Sequence, residues 1–74
     1  MKYDVKEKLE WTVIFLFEFG HKYGLTMKQA FNYLSRFKGI DFITEHYDAE
    51  HLLSFDDCVQ DLTQVCLNNG GGIR

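Results

Sequence analysis

No proline occurs in the 74 residues, so punctuation falls to glycine and to capping side chains, chiefly Thr26, Gly39, Ser54 and Gly70. No long hydrophobic run occurs either. The longest, Trp11–Phe17, is interrupted by Thr12 and followed by Glu18. That is far short of the roughly 20 apolar residues a membrane-spanning helix needs. Acids precede the run and no small-residue cleavage site follows it, so it does not read as a signal peptide. A cytoplasmic protein without a membrane role is expected. Cysteine is scarce, with only Cys58 and Cys66. Eight residues apart on one helix, their Cα atoms would stand about 12 Å apart, beyond the roughly 7 Å a disulfide tolerates. Buried free thiols are expected.

The scarcity of basic residues is regional. Residues 39–73 contain no Lys or Arg but seven acids: Asp41, Glu45, Asp48, Glu50, Asp56, Asp57 and Asp61. Residues 1–38 carry a net charge of +3, and the whole chain −3. An acidic half of this kind repels nucleic acid and favours a basic partner. Aromatic residues, in contrast, are plentiful at 16%, which argues against disorder. A chain this small buries only about 60% of the surface it exposes when unfolded, so it must pack efficiently or share its core.

The periodicity predicts an all-α fold, a small bundle of three to four helices over about 4–22, 26–38, 40–47 and 54–69. A single helical domain, 1–69, would be followed by a flexible Gly-rich tail, 70–74. Asp4 with Glu7, and Thr26 with Gln29, have the spacing of capping boxes. The last helix opens at Ser54 with Asp56 and Asp57 in its first turn, where acids suit the helix dipole. In the second helix Met27, Ala30, Phe31, Leu34 and Phe37 form one clean stripe, with Gly39 as the expected left-handed C-terminal cap. The first helix has two stripes. Val5, Leu9, Val13, Leu16 and Phe19 are expected to face the other helices. Trp11, Ile14, Phe15 and Phe17 then form a surplus apolar face that would make the isolated protein a homodimer, unless Ile40–Leu53 folds back over it. Trp11 and Phe15, with Asp56, Asp57 and Asp61, are therefore the candidate partner-binding residues.

Chemistry-bearing sets are few. His46, Asp48 and His51, with Glu45 and Glu50, form the one cluster of ligand type, but five residues separate the histidines by about 140° around a helix, whereas helical metal pairs prefer four. The expected reading is local, with Asp48 capping a turn and His51 returning a hydrogen bond to that turn or to a neighbouring helix. No hydroxyl or thiol has a convincing base, and Gly70-Gly71-Gly72 is followed by no helix to cradle phosphate. No catalytic, cofactor or metal residue is expected, and an enzyme is not. A helix-turn-helix reading of the first two helices, with Lys22, Lys28, Arg36 and Lys38 on phosphates and Gln29, Asn32 and Arg36 available for base edges, is one alternative, against which the pI near 5.4 weighs; a structural homodimer of unknown role is the other.

Several runs together resemble a known family: Glu10-Trp11-Thr12-Val13-Ile14-Phe15-Leu16-Phe17-Glu18, Gly24-Leu25-Thr26, Ala30-Phe31-Asn32-Tyr33-Leu34, Gly39-Ile40-Asp41-Phe42-Ile43, and Tyr47-Asp48 with His51. They are similar to short bacterial helical domains of unknown function, over about residues 8–70. At the position of Glu50 that family usually has an apolar residue, and at Leu52 a polar one. Its members are often encoded beside, or fused to, ADP-ribosyltransferase-like domains. The resemblance thus implies an antitoxin, immunity or adaptor role toward an ADP-ribosyltransferase-like partner, with Tyr47, Asp48 and His51 as a recurring motif and no established catalytic residue.

Overall fold

The computed structural model describes residues 5–72, which contain five helices and no strand: α1 (Val5–Tyr23), α2 (Met27–Arg36), α3 (Gly39–Glu45), α4 (Tyr47–Glu50) and α5 (Phe55–Asn68). The all-α expectation stands. Asp4, the expected cap of the first helix, lies outside the described residues. The other two caps are in place. Thr26 Oγ1 accepts from the Gln29 backbone N–H at 3.1 Å while Gln29 Oε1 accepts from the Thr26 N–H at 2.9 Å. Ser54 Oγ accepts from the Asp57 N–H at 3.1 Å. Each satisfies amide groups that a helix start leaves without a partner.

α1 and α2 are joined by a short turn in which Gly24 takes φ 69°, a left-handed conformation glycine enters without steric cost. Leu25 N–H closes the turn on Gly20 O at 2.8 Å. The next boundary differs from expectation. Lys38, not Gly39, carries the left-handed backbone, at φ 74°, and Gly39 already begins α3. Gly39 is needed for closeness instead: a Cβ there would stand 2.6 Å from Leu34 Cδ2. The expected third helix (40–47) ends early, at Glu45, and after His46 (φ −113°, ψ 24°) the single turn α4 already begins at Tyr47, so Asp48 lies inside the first turn of α4 and does not cap it.

The core gathers Phe15, Leu16 and Phe19 of α1, Ala30 and Leu34 of α2, Ile43 of α3, and Cys58, Val59, Leu62 and Cys66 of α5. Tyr23 Oη and Thr63 Oγ1, 2.7 Å apart, link α1 to α5. Thr63 in turn donates to Val59 O at 2.7 Å, so the tyrosine is the donor in this pair. The segment read as a flexible tail is tied down at its start. Gly71 is buried, its N–H donates to Cys66 O at 2.8 Å, and its carbonyl accepts from Tyr33 Oη at 3.0 Å. Arg74, the chain's last charge, lies outside the described residues.

The inward stripe of α1 is not the expected one. Leu16 and Phe19 are buried, but Val5, Leu9 and Val13 are exposed, Leu9 to 61%. Phe15, expected on the surplus face, is fully buried. Helix lengths explain the exchange. At about 1.5 Å per residue, α1 is about 28 Å long and α2 about 15 Å, so α2 covers only the half of α1 nearest their shared turn. Nothing on that side reaches Leu9 or Val13.

Candidate functional site

An aromatic cluster dominates the opposite side of α1. Trp11 lies parallel to Phe15 (centroids 5.4 Å, 4°), stacks on Phe55 at 5.7 Å and receives the edge of Tyr47 at 5.6 Å. Rings in such offset and edge-on arrangements add to the energy of burial alone. The fold-back alternative is therefore realised in part, with α4 and the start of α5 covering Trp11. Trp11 and Phe15 belong to this internal cluster and are withdrawn as partner residues. The expected dimer face loses them, while Ile14 and Phe17 stay exposed and join Leu9 and Val13. An open groove runs along this side, lined by Leu9, Glu10, Val13 and Ile14.

Tyr47 and His51 pack on each other and on their neighbours, while Asp48 is exposed. Tyr47 is buried against Trp11, with the Lys8 ammonium 5.5 Å from its ring. His51 stacks on Tyr47 at 4.6 Å and 7°, and its Nδ1 lies 2.8 Å from the Tyr47 carbonyl. That is the local hydrogen bond expected of it, made across one helical turn. His46 turns elsewhere, its ring 4.4 Å from that of Phe42. Among the described residues no three His, Cys, Asp or Glu side chains gather as metal ligands.

Asp56, Asp57 and Asp61 are exposed on α5, and Asp41, Glu45 and Asp48 are exposed on α3 and α4. The one acid of this half that is not exposed is Glu50, 5% accessible. Burial, then a hydrogen bond with Asp61 and that neighbour's negative charge, push the Glu50 carboxyl up to about 7. Its Oε1 has no hydrogen-bond partner. The Cys58 thiol donates to the Glu50 carbonyl at 2.9 Å. Burial and the adjacent acids push that thiol up to about 12, the opposite of what activates a nucleophile. Cys66 is likewise buried and pushed up to about 11. Sequence reading grouped Glu50 with the surface acids. The available signal was its place three residues after Tyr47, on the face of α4 that Tyr47 turns inward. Leu52 is among the most exposed apolar residues.

Among the described residues no helix is long and apolar enough to cross a membrane. No curated protein and no solved structure matches the chain. The family comparison does give a match, which spans all but the first nine and last five residues and so takes in the aromatic cluster, Glu50 and the acidic helices: over residues 10–69 the chain belongs to DUF3791, a family of proteins of unknown function.

Proposed function

We propose that this is a non-catalytic protein-binding domain whose acidic half docks on a basic surface of a partner protein. The observation that carries the reading is the exposure of Asp41, Glu45, Asp48, Asp56, Asp57 and Asp61 in a stretch, residues 39–72, without one Lys or Arg. Charge of a single sign steers association and selects the opposite sign in a partner. The partner class is an ADP-ribosyltransferase-like enzyme, in an antitoxin, immunity or adaptor role. Such an enzyme holds a dinucleotide pyrophosphate, which calls for a basic cleft that an acidic protein can occupy. The resemblance described above supports the same choice.

The test is a titration of the full chain with a purified ADP-ribosyltransferase-like protein from the same organism, at several salt concentrations. Binding should weaken steeply with salt, and the double variant Asp56→Asn/Asp57→Asn should weaken it by about tenfold. No complex at low salt, or one indifferent to salt and to both substitutions, overturns the reading. Tighter binding to duplex DNA would replace it with the alternative in which Lys28, Gln29, Asn32 and Arg36, all exposed on α2, contact nucleic acid.

A further inference from the structure

The outer side of α1 presents Leu9, Val13 and Phe17 at four-residue steps, flanked by Val5 and Ile14, each about half exposed or more. Together these side chains expose on the order of 500 Å² per molecule, within the range for the largest apolar patch on a soluble monomer.

We propose that a second copy of this chain covers the face, by antiparallel pairing of α1 with α1 about a two-fold axis at Val13. Three features select this occupant. The first is symmetry. Leu9 and Phe17 stand four residues to either side of Val13, so an antiparallel partner sets Leu9 against the partner's Phe17 twice over. The slim Val13 meets its own copy at the axis, where the helices must come closest. Self-complementarity of this kind is what an isologous contact requires. The second is area. About 500 Å² of apolar surface per copy, extended by the stems of Lys6 and Glu10 beside it, supplies the larger part of the roughly 800 Å² per partner of a stable interface. The third is charge. α1 holds Lys6, Lys8 and Lys22 against Glu7, Glu10 and Glu18 and is neutral overall, so two copies meet there without the repulsion the acidic half would impose. Antiparallel alignment also pairs opposite ends of the two helix dipoles.

This interface does not involve the acidic half, so its failure leaves the proposed partner reading untouched. Sedimentation equilibrium of the full chain from micromolar to submillimolar concentration reads it directly. A reversible dimer is expected. Val13→Glu, at a half-exposed position that the fold can accommodate, should raise the dissociation constant by about a hundredfold or more while the helical circular dichroism is kept. Asp56→Asn/Asp57→Asn should leave the dimer intact. The register is read by oxidative cross-linking: Val13→Cys should form a covalent dimer with itself. Leu9→Cys should cross-link to Phe17→Cys and not to another Leu9→Cys. A monomer at every concentration, a dimer that survives both Val13→Glu and Phe17→Glu, or cross-linking of Leu9→Cys to itself overturns the proposal.

Discussion

α1 and α2 form one hairpin yet answer to different physics. α2 has a single apolar stripe and a capping box, and the structure buries Ala30 and Leu34 of that stripe while leaving Lys28, Gln29, Asn32, Ser35 and Arg36 in water. The stripe's edge turns out differently: Met27 and Phe31 are exposed, and Tyr33, outside the stripe, packs on Phe19. α1 is apolar on two sides, and both arrangements satisfy its local pattern. The outcome rests on which neighbours are long enough to reach which residues, and the aromatic arc Trp11, Phe15, Phe19 and Tyr23 wins over Val5, Leu9 and Val13. A helix with one stripe fixes the centre of its buried face and leaves the edges to its neighbours, whereas one with two leaves the whole choice to the rest of the fold.

The strongest challenge to that account is Phe15→Ala, which should cost about 3–5 kcal/mol, a large share of what so small a domain has. A thermal melt in which Phe15→Ala and Leu9→Ala are destabilised equally would refute the assignment of inner and outer stripes. Leu16→Ala, at a position both readings place inside, should cost about 2–5 kcal/mol.

Glu50 sharpens the contrast by adding a polar group that packing, not pattern, has buried. Its folded pKa, about 7, lies above the ordinary 4.5, so the folded state binds the extra proton between those values. Its favourable contribution is complete below about pH 4.5 and is lost as pH rises through about 7. At most this is worth about 3 kcal/mol. Denaturant midpoints should therefore fall between pH 5 and pH 8, counted against other titrating groups by comparison with Glu50→Gln, whose profile should be flatter across this window. Matching slopes for the two proteins would place the Glu50 carboxylate in water.

Thr26→Ala probes the locally determined helix and should cost about 1 kcal/mol through loss of the cap. A neutral result would mean that tertiary packing alone fixes where α2 begins. The smallest effect is expected at Leu9→Gln, within about 0.5 kcal/mol for the monomer. Measured at a concentration where the proposed dimer is populated, the same substitution should cost more, so the two values separate folding from association.

The sequence alone determined the helical class, the starts of α2 and α5 and the inward placement of Cys58 and Cys66. Each depends on neighbours within a few residues: a cap and its amide, a stripe recurring every turn. It also displayed the acidic half, since charge can be counted along a chain. The break at His46, the burial of Glu50 and the choice between the two stripes of α1 depended on residues distant in sequence. Trp11 is partly covered because Tyr47 and Phe55 arrive from more than thirty positions away, and Gly39 lies too close to Leu34 to leave room for a Cβ. Such outcomes follow from lengths, clashes and shared volume. These exist only once the helices are assembled, so only the tertiary structure decided them.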